Sequence, residues 1–150
     1  MTAFVTAGVG FLISVLWVDL MHDVLGVRRR GEVLPAGALD SIATYYRRVT
    51  VDAYPMTRLV AVVMAATLGG LVAEITTGGV PAWTAWTCLV LAGSAVGLAG
   101  LRTVQHAQRL GRRGDDPAAQ TLLARSVGRD HLCCLVATVA TLVIQLGFAR

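Results

Sequence analysis

The chain has 150 residues, of which 55% are hydrophobic and only 15% are charged, and its mean hydropathy is +0.66. Charged residues normally supply about a quarter of a soluble globular domain, so this composition excludes an ordinary water-soluble fold. Twelve of the thirteen basic residues lie in two stretches, residues 28–58 and 102–129. We therefore expect a membrane protein whose arginines are placed by topology, and no nucleic-acid partner, although the net charge is +4.

Four apolar segments follow one another along the chain, at about residues 4–25, 56–77, 83–101 and 132–149. Each is close to the roughly 20 residues that an α-helix needs to cross about 30 Å of hydrocarbon. The sequence therefore predicts an all-α bundle of four transmembrane helices. The loops of about 26–55 and 102–131 are too short to contain a second core, so residues 1–150 should form a single integral membrane domain. Pro35 and Pro117 each begin a run of helical character, which predicts that the second and fourth helices extend into the cytoplasm.

The two arginine-rich loops predict the orientation of the chain. Arginines near the ends of spans are retained on the cytoplasmic side, so both loops should face the cytoplasm and both termini should lie outside. No basic residue precedes the first span, which indicates a retained helix and not a cleaved signal peptide. The absence of lysine is typical of a GC-rich bacterial coding bias. We therefore expect a multi-pass protein of the bacterial inner (cytoplasmic) membrane, with lipid and anionic headgroups as its surroundings.

The two halves of the sequence share an order of residues. Three residues of the first loop recur 78 positions later in the second: Arg47, Val49 and Asp52 as Arg125, Val127 and Asp130. Two explanations stay open, a duplicated helical hairpin and a chance similarity of arginine-rich strings. Duplication would make the hairpins parallel repeats about an axis along the membrane normal. It predicts pseudo-twofold placement of His22 with His106 and of Asp52 with Asp130.

The histidines and several carboxylates are predicted to form one polar layer near the inner ends of the spans. Its members are His22, His106, His131, Asp19, Asp23, Asp52 and Asp130. In the first helix Asp19, His22 and Asp23 follow i, i+3, i+4 spacing, so they should project from one face. An ionised side chain within hydrocarbon costs at least about 2.5 kcal/mol, so Asp19 should face the bundle interior, with Arg102 or Arg58 as its partner.

Three interpretations of this polar layer stay open. The first is a salt-bridge network that seals the inner end of the bundle. The second is a metal or cofactor site, because imidazole and carboxylate ligands from separate helices suit a transition metal, and two histidines suit haem. The third is a pocket for an anionic or amphipathic small molecule, with arginine contacts and aromatic walls. The residues of this pocket would be Arg47, Arg58, Arg102, Arg129, Trp17, Tyr45, Tyr46 and Tyr54.

Small residues on the second and third spans predict close helix contacts, either inside the bundle or in a homo-oligomer. These residues are Gly69, Gly70, Gly93, Gly97 and Gly100. At the outer end, Glu74 has one basic candidate partner on its side of the membrane, Arg150.

Two short clusters resemble a known group of proteins. They are Trp17, Asp19, His22 and Asp23 at the end of the first span, and Tyr45, Tyr46 and Arg47 followed by Pro55. Together with four spans in this length, they resemble uncharacterised bacterial four-helix membrane proteins, some of them grouped with anthrone-oxygenase-like proteins. The resemblance covers most of the chain as architecture and only these positions as residues. It implies oxygen chemistry on an aromatic substrate and supplies no catalytic pattern.

The sequence as a whole predicts an integral inner-membrane protein with a polar His/Asp/Arg site at the cytoplasmic mouth of the bundle. We expect this site to bind a metal, a cofactor or a small ligand. One alternative is a membrane-embedded oxygenase-like enzyme, and the other is a structural or partner-binding membrane protein without a ligand. Catalysis, the identity of the ligand and the oligomeric state stay open at this point.

Overall fold

A computed structural model describes the whole chain except residues 29, 30, 53 and 150, and the side chains of residues 25, 27, 28 and 54. Six α-helices account for most of the described residues: α1 (Thr2–Arg28), α2 (Ala36–Arg47), α3 (Tyr54–Thr77), α4 (Ala82–Leu98), α5 (Val104–Arg112) and α6 (Pro117–Phe148). Two π-helical turns, Arg48–Asp52 and Ala99–Thr103, lie between α2 and α3 and between α4 and α5. The all-α prediction is confirmed.

Four helical segments are long and apolar enough to cross a membrane: Thr2–Val24, Pro55–Thr77, Ala82–Arg112 and Pro117–Phe148. In the most apolar 18-residue stretch of each segment, only 17% to 28% is buried inside the protein. Large apolar side chains such as Phe4, Val62, Val90 and Val136 point outward instead. A soluble protein would not expose so much contiguous apolar surface, whereas lipid covers it without cost. The predicted bundle of four transmembrane helices is therefore confirmed.

The four long helices form a ring in the order α1, α3, α4, α6, because α1 and α4 each pack against both α3 and α6. α3 and α4 are joined by the short turn 78–81, in which Gly78 has φ +64°, a conformation that favours glycine. We call this end of the bundle the charge-poor end. The opposite end, where the two arginine-rich connections lie, is called the basic end.

A helical cap covers the basic end. It consists of α2, α5 and the first half of α6, and its core contains Leu39, Ile42, Tyr46, Leu110 and Val127 among other buried residues. α6 is continuous from the cap into the bundle, and α2 begins directly after Pro35. The prediction that helices extend beyond the spans at this end is therefore confirmed.

A close helix contact holds the cap together. A Cβ added at Gly111 of α5 would lie 2.8 Å from the backbone nitrogen of Arg47 in α2. Only glycine lets the two helix backbones approach this closely. Arg113, just beyond α5, adds an ion pair from Nη1 to Asp40 Oδ1 of α2 at 2.5 Å. α5 therefore positions α2, which carries two of the tyrosines described below.

The predicted glycine contacts within the bundle are mostly wrong. A Cβ added at Gly69, Gly93, Gly97 or Gly100 would meet no heavy atom within 4 Å. α4 buries the face formed by Ala85, Cys88 and Ala92, so the glycines on and just after α4 are turned away from the bundle. Gly69 lies on an exposed face of α3. Gly70 is the exception, since its Cβ would lie 2.8 Å from the Val5 side chain.

The two halves of the chain each form a helical hairpin with an arginine-rich connection, as a duplication requires. The surroundings of Asp52 and Asp130 differ, because Asp52 is exposed and Asp130 is buried. The duplication stays a prediction.

Candidate functional site

Three helices bring polar side chains together beneath the cap. Asp19 and Asp23 lie one turn apart near the end of α1, on the face that packs against α6 and α2. α6 contributes His131, and α2 contributes Tyr45 and Tyr46. The predicted alignment of the two carboxylates on one face of the first helix agrees with this arrangement. We call these five residues the inner network.

Asp23 is the centre of the inner network and is fully buried. Its Oδ1 accepts a hydrogen bond from Tyr46 Oη at 2.6 Å, and its Oδ2 lies 2.7 Å from His131 Nδ1. An ionised carboxylate only accepts hydrogen bonds, so Nδ1 carries the hydrogen in this contact. Tyr46 and His131 are themselves buried. One carboxylate thus ties α1 to both α2 and α6.

Asp19 repeats this pattern one turn earlier on α1. Its Oδ1 accepts a hydrogen bond from Tyr45 Oη at 2.5 Å, and its Oδ2 lies 3.9 Å from His131 Nε2. That separation is too long for a hydrogen bond but is within ion-pair range. The imidazole of His131 therefore lies between two carboxylates, with Nδ1 hydrogen-bonded to Asp23 and Nε2 facing Asp19 Oδ2 across the 3.9 Å separation, which we call the gap.

His22 borders the inner network without joining its hydrogen bonds. Its ring stacks on Tyr45 with 3.8 Å between centroids and 7° between planes. Its Nδ1 lies 3.0 Å from the carbonyl oxygen of Val18, one turn back on the same helix. His22 therefore packs against the ring of Tyr45, next to the bond between Tyr45 and Asp19.

A second group of polar residues lies between α6 and the π-helical turn Ala99–Thr103. Arg102 Nε lies 3.3 Å from Asp130 Oδ2, and Arg102 Nη2 donates to Ser126 Oγ at 2.9 Å. Ser126 Oγ in turn lies 3.2 Å from His106 Nδ1. Arg102 therefore pairs with Asp130 and not with Asp19, and the alternative pairing of Asp19 with Arg58 stays a prediction. The π-helical turn packs on α6, where it meets Asp130, whereas Asp19 faces α2 and His131.

Most of the remaining predicted site residues are exposed. Arg47, Arg58, Arg129, Trp17 and Asp52 are exposed, and the side chain of Tyr54 lies outside the described part of the chain. A shallow depression between α2 and α6 is lined by Leu39, Asp40, Arg113 and Gln120 among others, and none of the predicted ligand-binding residues lines it. The structure therefore brings Asp19, Asp23 and His131 together, places His106 and Asp130 in a second group that Arg102 joins, and leaves Asp52 exposed.

The donor chemistry of the inner network bears on the metal prediction. Among the described residues, no group of three or more His, Cys, Asp and Glu side chains is placed to hold a metal ion. Both oxygens of Asp23 already have partners, Tyr46 and His131. The gap between Asp19 and His131 offers two metal-ligating atoms, Asp19 Oδ2 and His131 Nε2. The metal form of the prediction thus has no complete donor set in the part of the chain that the structure describes.

The two tyrosines remain hydrogen-bond donors over a wide pH range. Burial raises the pKa of the Tyr46 phenol, and the negative charge of Asp23 raises it further. Burial and the hydrogen bond to Asp19 raise the pKa of Tyr45 in the same direction. Both phenols are therefore neutral at physiological pH and hold their hydrogens toward the carboxylates.

Sequence reasoning assigned Tyr45 and Tyr46 to the wall of a ligand pocket and missed their bonds to Asp19 and Asp23. The sequence contains one indication of these bonds. Both tyrosines lie in the short helix predicted after Pro35, and this helix follows the span that carries the two carboxylates. Nothing in the sequence indicated which tyrosine meets which aspartate.

No protein-family model, curated protein or solved structure matches the chain.

Proposed function

We propose that this chain is a multi-pass protein of the bacterial inner membrane, with both termini outside, that binds a proton at the cytoplasmic mouth of its bundle. In this proposal the proton occupies the gap between His131 and Asp19 and holds the α2 cap in place. The sequence predicts a metal, a cofactor or a small ligand for this layer, and we propose a proton instead because Asp19 and His131 alone do not make a complete set of metal ligands. The orientation is supported by the position of the arginine-rich connections at the basic end.

The observation that carries the proposal is the open gap at His131 Nε2. When Nδ1 donates to Asp23, a neutral imidazole presents the lone pair of Nε2 to Asp19 Oδ2, which lies 3.9 Å away. Two acceptors then face each other. A proton on Nε2 turns this repulsion into an ion pair, and the formal charge of the three groups falls from −2 to −1.

The size of this effect is large compared with the bonds around it. Two unit charges about 4 Å apart interact by about 4 kcal/mol at an effective dielectric constant near 20. The desolvation of both groups offsets part of this energy. A hydrogen bond to a charged group contributes about 1.5–3 kcal/mol, so after desolvation the effect of the proton is of the same order as either tyrosine bond.

Loss of the proton should loosen the cap. Without it, Asp19 and Asp23 are two like charges one turn apart in a buried site, and water would stabilise them better than protein does. α2 covers the site and donates to both carboxylates through Tyr45 and Tyr46. Water can therefore reach them most directly if α2 moves. The neighbouring carboxylate of Asp130 is balanced by Arg102 and changes this argument little.

The test uses the accessibility of a cysteine beneath α2. The variant Ala43→Cys, in a protein whose native cysteines are replaced, places a thiol at a fully buried position of α2. Its rate of reaction with a soluble thiol reagent is divided by that of Ala36→Cys, an exposed position of the same helix, to remove the pH dependence of thiol reactivity. We expect this ratio to rise with pH, and to be high at every pH when His131→Gln is added.

His106→Gln is the matched control, because His106 contacts Ser126 and lies outside the inner network. It should preserve the pH dependence. Identical profiles with and without His131→Gln would contradict the proposal and favour a purely structural network. A stoichiometric metal or chromophore that His131→Ala removes from the purified protein would instead favour the metal or oxygenase-like interpretations.

A further inference from the structure

A second buried polar group lies at the charge-poor end, far along the helices from the inner network. Glu74 of α3, Gln145 of α6 and Thr84 of α4 are each at most 1% exposed. Gln145 Nε2 donates to Glu74 Oε2 at 2.8 Å. The predicted partner of Glu74, Arg150, lies outside the described residues, and the partner that the structure describes is Gln145.

Three oxygen atoms in this group have no hydrogen-bond partner: Glu74 Oε1, Gln145 Oε1 and Thr84 Oγ1. A buried polar atom left without a partner costs about 1–3 kcal/mol, and more when it is charged. The ion pairs that the structure gives for Arg102, Arg109, Arg113 and His131 all go to aspartates at the basic end. Glu74 Oε1 and Gln145 Oε1 are thus two buried acceptors without a donor, and the Thr84 hydroxyl has one hydrogen to offer.

The three oxygens lie in one region between α3, α4 and α6. In Glu74 the free Oε1 shares a carbon with Oε2, which accepts the hydrogen bond, and in Gln145 the free Oε1 shares a carbon with Nε2, which donates it. Cys88 Sγ of α4 donates a weak hydrogen bond to the carbonyl oxygen of Thr141 in α6 at 3.9 Å, one turn before Gln145. Thr84 lies one turn before Cys88 on the same buried face of α4. Because α4 and α6 run in opposite directions, Thr84 lies at the level of Gln145 along the bundle.

We propose that Glu74, Gln145 and Thr84 form a buried site for one monovalent cation, which is either a proton or an alkali-metal ion. Carboxylate and amide oxygens accept and do not donate, and the Thr84 hydroxyl can supply only one hydrogen, so at least one of the two free acceptors is left for a cation. Oxygen ligands suit a hard cation, and a single carboxylate balances a single positive charge. A divalent ion would leave an excess charge in an apolar surrounding. This site is separate from the proposed inner proton site and does not depend on it.

The substitution Glu74→Gln imitates the occupied site. It replaces one carboxylate oxygen by an amide nitrogen that donates hydrogen bonds, and the size of the side chain is almost unchanged. The introduced amide could then donate to Gln145 Oε1, so we expect this variant to fold. Its stability should no longer depend on the cation present.

The experiment treats the full-length protein in lipid nanodiscs with dicyclohexylcarbodiimide, an apolar reagent that attacks protonated carboxyl groups. Adducts are located by mass spectrometry of proteolytic fragments, and the melting temperature is measured in parallel, in sodium chloride and in choline chloride. If a proton occupies the site, an adduct at Glu74 forms equally in both salts. If an alkali-metal ion occupies it, sodium suppresses the adduct and raises the melting temperature, and Thr84→Val weakens both effects.

Two results would overturn the inference. One is the absence of an adduct at Glu74 together with a melting temperature that is the same in both salts. The other is an adduct or a sodium effect that appears only in Arg150→Gln, which would mean that Arg150 provides the positive charge in the wild-type protein. His131→Gln should leave the adduct at Glu74 and the difference in melting temperature between the two salts unchanged, so failure of one site is distinguishable from failure of the other.

Discussion

Removal of one hydroxyl group from the inner network tests the central contact of the site. Tyr46→Phe deletes the donor to Asp23 Oδ1 and keeps the aromatic ring, which is buried in the core of the cap. Asp23 is then left with His131 as its remaining described partner, and one of its oxygens is buried without a donor. The substitution therefore changes a single hydrogen bond and little of the packing.

The magnitude follows from the charge and the burial of the acceptor. A hydrogen bond to a charged group contributes about 1.5–3 kcal/mol, and the 2.6 Å contact lies in a fully buried site. We expect Tyr46→Phe to lower the free energy of unfolding by about 2–3 kcal/mol, or roughly 30- to 150-fold in the equilibrium constant. Tyr45→Phe should cost about 1 kcal/mol, because Tyr45 is only half-buried.

The assay is reversible unfolding in mixed micelles, in which a denaturing detergent is titrated and helicity is followed by circular dichroism. The same substitution is also made in the Asp23→Asn background. An asparagine still accepts the hydrogen bond but carries no charge, so the cost of Tyr46→Phe should fall to about 1 kcal/mol there. The difference between the two costs measures the coupling of the tyrosine to the charge.

Two outcomes would refute this reasoning. A cost below about 0.5 kcal/mol in the wild-type background would mean that the bond to Asp23 contributes little in the membrane, as measured side-chain hydrogen bonds between spans sometimes do. An equal cost in both backgrounds would mean that Asp23 is not the charged acceptor of Tyr46.

Three further predictions address pH, packing and topology. Tyr45 and Tyr46 have raised pKa values in the folded protein, so the stability that they contribute is complete below pH about 10 and is lost as the pH rises further. Unfolding measured at alkaline pH should show this loss, and Tyr46→Phe should make the free energy of unfolding depend less on pH. Gly111→Ala should lower the melting temperature because its Cβ would meet α2 backbone, whereas Gly97→Ala, which faces open space, should leave it unchanged or raise it; equal effects would contradict the described contact. Gly114→Cys, in a variant without native cysteines, should be protected from membrane-impermeant thiol reagents in intact cells, and ready labelling would reverse the proposed orientation.

The membrane architecture could be read from the sequence because its physical cause is local. A helix must place about 20 consecutive apolar residues in hydrocarbon, and this requirement is visible in the chain without knowledge of any neighbour. The extension of two helices beyond the spans was also visible, since Pro35 and Pro117 stand at helix starts. There the missing N–H of proline costs nothing, because the first N–H groups of a helix have no partner within it. The alignment of Asp19 and Asp23 follows from helix periodicity alone.

The partners of these residues could not be read in the same way. Asp23 meets His131 and Glu74 meets Gln145 across 108 and 71 residues of sequence, and Arg102 meets Asp130 where Asp19 had been expected. Each pairing depends on how far a helix is rotated and how deep it lies relative to the others. Those quantities are decided by packing of the whole bundle, in which buried polar groups must find one another because the surrounding lipid offers them no hydrogen bonds.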